Sequence, residues 1–321
     1  MSGPASRRNS ATVVDFPLLG PGGERVNLLR TFLSHGVASL PPMNIEEVPP
    51  TLEVTLPVRG RRPRTVKIEP ADEGRATMTV LGSRPPAARA TEELFRTVQH
   101  ILRLDEDLSD FYEKCAADAD LAWVVTGAGR MIRSATVFEE VVKTVCTTNC
   151  TWSATERMVG ALVEHLGERA HGAPATGLAG RTFPTPEVMA ETSEEFYRDV
   201  AKAGYRGAYL ISLSRSVADG TIDLEALGRA GPEDLPDEEV ERRLLALPGV
   251  GPYAAAHIMM MIGRYSKLIL DSWTRPTYAR VAGYKKVKDS TIQRRWRRFG
   301  PYAGLAFWLY ITRSWVQEQE A

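Results

Sequence analysis

The chain carries the heptapeptide LPGVGPY at residues 247–253 and, further on, the tetrapeptide LILD at residues 268–271. Apolar side chains at helical spacing lie between Asp237 and Leu245, just before the heptapeptide. Pro252 suits the first position of a second helix, where a missing N–H costs nothing. Because Gly249 and Gly251 permit a sharp reversal of the backbone, the sequence predicts two helices joined by a tight hairpin.

Asp271 ends the tetrapeptide, eighteen residues after Tyr253. The free N–H groups at the start of the second helix can hold a phosphate, so this carboxylate is expected near a phosphate-binding turn. Asp is also a favoured N-cap residue, and Ser272–Arg280 could form the helix that it caps. A catalytic carboxylate and a helix cap therefore both remain open for Asp271.

The hairpin, the apolar helix and the following Asp together resemble the helix-hairpin-helix DNA glycosylases. Such a hairpin alone also occurs in non-catalytic DNA-binding proteins, but the combination at this spacing is more specific. The resemblance covers about Val13 to Val316 and is strongest from Phe138 onward. It implies a DNA glycosylase of base excision repair. The competing class is a non-catalytic DNA-binding or damage-sensing protein with the same fold.

The N-terminal part of the chain has a different pattern from the rest. Alternating residues at 52–56, 65–69 and 76–81, separated by turn signals, predict a small antiparallel sheet, and Val26–Ser34 is expected to be a helix. Helical periodicity dominates from Thr91 onward. The predicted fold class is α+β, with a small N-terminal antiparallel sheet lobe and a mainly α-helical body. The predicted domains are a disordered tail at 1–12, an α/β lobe at 13–90 and the helical body at 91–321.

Such a lobe in front of a helical body resembles the 8-oxoguanine and 3-methyladenine branches of the superfamily. Some other members carry a four-cysteine iron–sulfur loop after the catalytic Asp. The three cysteines here are Cys115, Cys146 and Cys150, and none follows Cys150, so no iron–sulfur cluster is expected. A sparse, odd number of cysteines indicates a reducing compartment. No apolar run reaches the length of a membrane span. An intracellular protein is expected, cytoplasmic at the nucleoid if the source is bacterial.

The charge distribution indicates a partner only locally. The 321 residues include 40 Lys and Arg and 40 Asp and Glu, a net charge of zero. The segment from Arg275 to Arg313, however, contains ten basic residues opposed only by Asp289. A basic sector is typical of binding to a phosphate backbone, although a solvated helix face is the alternative. The expected partner is double-stranded DNA with a damaged base, bound by a monomer.

Cleavage of an N-glycosidic bond passes through a sugar cation. One ionised carboxylate can stabilise that charge and orient a water, and the resemblance assigns this role to Asp271. Bifunctional members place a Lys two residues after the last Gly of the hairpin, and its amine attacks the sugar. Tyr253 occupies that position here, which predicts a monofunctional enzyme without lyase activity. A bifunctional enzyme that uses Lys267 or the N-terminal amine remains open.

A base inside a duplex must be flipped out before its bond can be cut, and the gap must be filled. By resemblance, Asn149 and Tyr205 fill the gap and Arg206 contacts the partner base, although Tyr205 could be an ordinary core aromatic. The resemblance also assigns DNA binding to hairpin residues Pro248, Gly249, Val250 and Gly251.

The base pocket is the least determined part of the site. In 8-oxoguanine enzymes the C-terminal helix supplies a Gln that reads the base and an aromatic that stacks on it, and the matching positions look like Phe307 and Ile311. That departure places 8-oxoguanine recognition in doubt. Aromatic faces bind cationic rings well, so alkylated purines are favoured, with mismatched or oxidised bases as alternatives. The predicted pocket comprises Tyr253, Trp273, Phe307, Trp308 and Ile311, although Tyr253 or Trp308 could belong to the core.

In the family, backbone carbonyls of the hairpin coordinate potassium or sodium. The matching positions are Leu245, Leu247 and Val250, so a monovalent cation is a possible ligand by resemblance only. No cofactor is expected to be required.

Overall fold

The computed structural model describes residues 12–72 and 74–316. A five-stranded antiparallel sheet is followed by a mainly helical body, which confirms the predicted α+β fold class. The predicted disordered tail lies outside the described residues except for Thr12, which begins the first strand. The predicted boundaries between lobe and body stay predictions.

The sheet runs in the order β1-β5-β4-β3-β2, and each neighbouring pair is antiparallel. Two of its strands, β1 and β2, escaped the sequence analysis because they are short edge strands with mostly polar or half-exposed side chains. The strands are β1 (Thr12–Pro17), β2 (Met43–Glu47), β3 (Pro50–Val58), β4 (Arg61–Ala71) and β5 (Arg75–Val80).

One face of the sheet is apolar and packs against a long helix, α2. Val54 pairs with Val66, which in turn pairs with Val80, and all three are buried. The buried stripe of α2, which includes Leu94 and Val98, belongs to the same apolar cluster as these strands. The helix begins at Ala88 and therefore straddles the predicted boundary near residue 90.

Thirteen α-helices lie within the described residues. Short 3-10 turns at Gly36–Ser39, Ala122–Thr126, Arg297–Tyr302 and Arg313–Trp315, and a π-turn at Phe196–Val200, connect some of them. The helices are α1 (Leu28–Phe32), α2 (Ala88–Ile101), α3 (Ser109–Ala116), α4 (Val137–Thr147), α5 (Trp152–Leu166), α6 (Pro186–Glu191), α7 (Arg206–Ala218), α8 (Leu224–Arg229), α9 (Asp237–Leu245), α10 (Pro252–Met261), α11 (Thr274–Val281), α12 (Asp289–Trp296) and α13 (Ala303–Thr312).

The first helix is shorter than the predicted segment Val26–Ser34. It begins after Asn27, whose side-chain oxygen accepts the N–H of Arg30, and it ends after Phe32. Asn27 is a favoured N-cap residue, so the chain enters the helix only after it.

The helical body is organised around α10, the second helix of the hairpin. Every residue from Ala254 to Met261 is buried. Ile258 and Met259 belong to one apolar cluster, which includes α4 and α9, whereas Met260 and Met261 belong to a second cluster with α13. Since α10 contacts both clusters, it fixes the two halves of the body relative to each other.

Arg103 holds the C-terminal end of α10. Its guanidinium is fully buried and donates to the carbonyls of Met260 (3.0 Å) and Met261, and to the carbonyl of Met131. It also forms an ion pair with Glu106 at 2.7 Å. Carbonyls at the end of a buried helix have no partner inside the helix, so Arg103 satisfies groups that would otherwise be costly to bury.

We therefore expect Arg103→Met to lower the free energy of unfolding by about 3–5 kcal/mol, since it leaves buried carbonyls and Glu106 without their partner. Urea unfolding of the purified protein measures the loss. Arg96→Met is the control, because Arg96 pairs with Glu92 on the surface of the same region and should cost less than about 1 kcal/mol. Equal losses for the two variants would contradict this role of Arg103.

Candidate active site

The hairpin between α9 and α10 is tight because of Gly249. Its φ is 79°, a conformation that favours glycine, and a Cβ at this position would lie 2.7 Å from Cδ2 of Tyr209. Gly251 is the N-cap of α10, and Pro252 is its first residue. The hairpin and the first turn of α10 line a groove together with Tyr209 of α7.

Asp271 caps α11. Its Oδ1 accepts the backbone N–H groups of Trp273 (2.8 Å) and Thr274 (2.6 Å), while its own N–H donates to Oγ1 of Thr274 at 2.8 Å. Oδ2 accepts no hydrogen bond from the described residues. The cap interpretation is thus compatible with the catalytic one, because one oxygen fixes the carboxylate and the other is available to a ligand.

Three tryptophans contact one another and form what we call the tryptophan wall: Trp273, which follows Asp271 by two residues, Trp308 and Trp315. The ring centroids lie 5.9 Å apart for Trp273 and Trp308, 5.5 Å for Trp273 and Trp315, and 5.7 Å for Trp308 and Trp315. Nε1 of Trp308 donates to the carbonyl of Ser34 at 2.7 Å, which ties the wall to the N-terminal lobe. Trp273 and Trp315 remain 41% and 40% exposed, so aromatic faces are accessible to a ligand.

A second group of rings, the histidine wall, consists of Tyr253, His257 and His35. The centroids of Tyr253 and His257 are 6.2 Å apart, and those of His257 and His35 are 5.7 Å apart. Burial raises the pKa of Tyr253, and the negative charge of Asp271 raises it further. Burial and His35 lower the pKa of His257, and the same charge of Asp271 acts against them to raise it.

The predicted gap-filling residues lie together at the hairpin. Asn149 has a left-handed backbone with φ of 49°, and its Nδ2 donates to the hydroxyl of Tyr205 at 3.4 Å. Tyr205 is 53% exposed and is therefore not an ordinary core aromatic. A groove of about 380 Å³, the hairpin groove, is lined by Thr148, Asn149, Tyr205, Tyr209, Gly249, Val250, Gly251, Pro252, Tyr253 and Ala254.

Arg206 does not extend toward this groove. It is only 6% exposed, and its guanidinium donates from Nε to the carbonyl of Thr148 at 3.0 Å and from Nη2 to the same oxygen. The guanidinium also lies 4.6 Å from the ring centroid of Tyr205. This geometry disagrees with the predicted contact between Arg206 and a partner base. Arg206 instead stabilises the turn that carries Asn149.

Two predicted pocket residues also lie elsewhere. Phe307 is fully buried against Tyr278 and Trp296, at centroid distances of 5.9 Å and 6.4 Å. Ile311, one turn later, is buried beside a different groove that Arg280 and Arg313 also line. Because α13 is apolar on all sides, its periodicity could not indicate which face points toward Asp271. Trp308, on another face of α13, contacts Trp273, which follows Asp271 by two residues.

Sequence analysis missed Trp315 and His35. Trp315 follows the last predicted helix, and only the fold brings it against Trp273. His35 lies in a different lobe from His257, so no spacing along the chain connects them.

The basic sector is partly neutralised by acidic residues from other elements. Arg275 forms an ion pair with Asp289 at 2.8 Å, and Arg295 forms one with Asp120 at 2.8 Å. Arg298 likewise pairs with Asp118. Lys267, the alternative nucleophile, forms an ion pair with Glu241, in which Nζ lies 2.6 Å from Oε2.

The hairpin carbonyls are compatible with a monovalent cation. The N–H of Val250 donates to the carbonyl of Leu247 at 3.2 Å, which leaves that oxygen a second lone pair. The carbonyls of Leu245 and Val250 accept no backbone hydrogen bond outside the regular helices of the described chain. Cation binding here stays a prediction.

Within residues 12–72 and 74–316, no helix is both long enough and apolar enough to span a bilayer. The same residues contain no group of three His, Cys, Asp or Glu side chains arranged for a metal ion.

The fold is similar to that of solved DNA glycosylases. The 3-methyladenine DNA-glycosylase from Archaeoglobus fulgidus superposes with a TM-score of 0.70 and 18% identity, over 95% of this chain and 100% of that one. The 8-oxoguanine glycosylase/lyase of Clostridium acetobutylicum, in complex with double-stranded DNA containing cytosine opposite 8-oxoG, gives a TM-score of 0.69 and 18% identity, over 95% and 96%.

Sequence comparison points the same way over a shorter part of the chain. The putative DNA-3-methyladenine glycosylase YfjP of Bacillus subtilis (strain 168) is 27% identical over 135 residues, 40% of this chain and 45% of that protein. The chain spans about half the length of the curated relatives it matches. No family model matches. The predicted resemblance is confirmed by the shared fold and by the names of these relatives.

The buried histidines make stability depend on pH. Burial lowers the pKa of His35 to about 4, against the hydrogen bond to the carbonyl of Ile132 and with the help of the charges of Arg103 and Lys143. Burial and His35 lower the pKa of His257 to about 4, against the opposing charges of Glu140 and Asp271. Between pH 6.5 and about 4 the unfolded chain therefore binds protons that the native state does not.

We expect the free energy of unfolding to fall across that window by up to about 3 kcal/mol per histidine, and these two groups to contribute no further loss below it. Urea unfolding at several pH values measures the slope. His257→Phe should flatten it, whereas His171→Phe, at an exposed position, should not. The same slope in His257→Phe and in the unsubstituted protein would contradict a native-state pKa this low.

Proposed function

We propose that this protein is a DNA glycosylase of base excision repair, which flips a damaged base out of the duplex and hydrolyses its N-glycosidic bond. The observation that carries the proposal is the position of Asp271. Its carboxylate is fixed through Oδ1 by the N-terminus of α11, its charge acts on the pKa of Tyr253, and Trp273, two residues later, contacts Trp308. A fixed carboxylate suits a sugar cation, and aromatic rings suit the attached base.

The expected partner is double-stranded DNA with a damaged base. The hairpin and the start of α10 present backbone N–H groups to a phosphate, and seven basic residues of the Arg275–Arg313 sector have no ion pair among the described residues. In the hairpin groove, Asn149 and the exposed Tyr205 are placed to enter the gap left by a flipped base. A cation held by the hairpin carbonyls would add charge toward the same phosphate.

The chemical step needs positive charge on the sugar to be stabilised and a water to be oriented. Oδ2 of Asp271 can do both, since Oδ1 already holds the carboxylate in place.

A monofunctional mechanism is supported by Tyr253 and Lys267. The phenol of Tyr253, at the first turn of α10, cannot form a Schiff base. The amine of Lys267 is engaged by Glu241, which lies on α9. Water is then the nucleophile, and the product is an abasic site.

Alkylated purines are the substrates that the site favours. They carry positive charge, and indole faces attract cations more strongly than other side-chain rings. Trp273 and Trp315 present such faces beside Asp271. Mismatched and oxidised bases remain the alternatives.

Asp271→Asn tests the carboxylate. Asn is an equally good cap, so the fold and DNA binding should persist, while release of methylated purines from alkylated duplex DNA should fall at least about a hundredfold. Single-turnover release measured by mass spectrometry gives the rate. Asp289→Asn, which alters a carboxylate in the same sector, is the control. Near-normal release by Asp271→Asn would reject the role, and no release by any variant would favour a non-catalytic DNA-binding protein.

Borohydride trapping tests the choice of nucleophile. With a water nucleophile we expect no covalent protein–DNA adduct, even when base release is complete, and no strand cleavage at the abasic site. An adduct that disappears in Lys267→Ala would instead establish the bifunctional alternative. A known glycosylase/lyase, trapped in parallel, shows that the conditions suffice.

A further inference from the structure

His35 has a fixed tautomer. It precedes the 3-10 turn Gly36–Ser39 in the N-terminal lobe, and its Nε2 lies 2.6 Å from the carbonyl oxygen of Ile132. Because a carbonyl only accepts, Nε2 must carry the proton. Since burial lowers the pKa of His35 to about 4, the ring is neutral near pH 7 and its Nδ1 is a hydrogen-bond acceptor.

That acceptor has no partner. The ring of His35 is 4% exposed, and Nδ1 is buried without a hydrogen bond within the described part of the chain. Native proteins seldom leave a buried polar atom unpaired, so such an atom next to a cavity indicates a missing ligand or water.

A cavity next to His35 shares Trp315 with the tryptophan wall. It has a volume of about 310 Å³ and is lined by Phe32, His35, Gly36 and Trp315, among others. Trp315 contacts Trp273, which follows Asp271 by two residues. On its other side the ring of His35 meets His257 edge to face, at an interplanar angle of 75°. His35 therefore lies where the histidine wall meets the tryptophan wall.

We propose that His35 is a specificity-determining residue, whose Nδ1 accepts a hydrogen bond from an N–H group of the flipped base. The pocket would then select purines with a free exocyclic amino group over bases that present no N–H there. The inference rests on the proposed glycosylase function. A positive charge on an alkylated aminopurine makes its amino group a stronger donor, so this hydrogen bond and the tryptophan faces favour the same ligand.

The experiment compares 3-methyladenine, which has a free amino group, with ethenoadenine, whose exocyclic nitrogen is closed into a ring and has no N–H. Single-turnover release is measured from methylated DNA and from an ethenoadenine duplex. His35→Phe should slow release of 3-methyladenine about tenfold and leave ethenoadenine unchanged. His35→Gln, which can restore an acceptor, should recover part of the loss. His100→Phe, at another histidine whose pKa burial lowers, should change neither rate.

Equal effects of His35→Phe on the two substrates, or no effect, would overturn the proposal while the glycosylase function stands. If no variant releases any base, the proposed function fails, and the role of His35 is then tested by binding of the free base. The proposal is supported if free 3-methyladenine quenches the tryptophan fluorescence of His35→Phe less than that of the unsubstituted protein. It is overturned if the quenching is the same in both proteins or absent from every variant.

A measurement on the unsubstituted protein covers the case in which His35→Phe does not fold. With nitrogen-15 in the histidine rings, the Nδ1 resonance of His35 should shift when free 3-methyladenine is added, and not when free ethenoadenine is added. The same shift with both bases, or with neither, would overturn the proposal.

Discussion

The complete burial of α10 is the constraint on which the rest of the structure depends. Residues Ala254 to Met261 are enclosed on every side by two apolar clusters, so the helix can neither rotate nor slide without opening a core. Its first turn is fixed by the hairpin, where Gly249 packs directly against Tyr209. Its last carbonyls are held by the buried guanidinium of Arg103.

A helix fixed in this way makes a rigid base for chemistry. Tyr253 and His257 project from α10 at set positions, and the carboxylate of Asp271 is held separately by the N-terminus of α11. Catalysis by electrostatic stabilisation requires that the charged group be in place before the reaction starts. The N-terminal lobe contributes to the same arrangement, since Ser34 accepts the indole N–H of Trp308 and His35 meets His257.

The parts of the site that could be predicted from the sequence are those formed by residues that are neighbours along the chain. The hairpin follows from two glycines and a proline, and the cap at Asp271 follows from one carboxylate ahead of a helix. The walls could not be predicted, because Trp315 and His35 are far apart along the chain and meet only through the fold.

Two wrong expectations have specific physical causes. Phe307 was expected in the pocket because it matches the position of the base-reading Gln in the 8-oxoguanine enzymes. Since α13 is apolar all round, its sequence has no pattern that distinguishes its faces and could not correct this assignment. Arg206 was expected on DNA because the resemblance assigns it to the partner base. It is instead buried against the carbonyl of Thr148, a partner that sequence spacing does not reveal.

The central claim is that Asp271 faces the sugar of a flipped nucleotide. The most direct test is a crystal structure with a duplex in which a protonated pyrrolidine replaces that sugar, because the cationic ring imitates the charge of the transition state. We expect the ring nitrogen to lie within about 3 Å of Oδ2 of Asp271, with the tryptophan wall beside the position of the base. A duplex bound with the pyrrolidine still stacked in the helix, or flipped into a cavity away from Asp271, would contradict it.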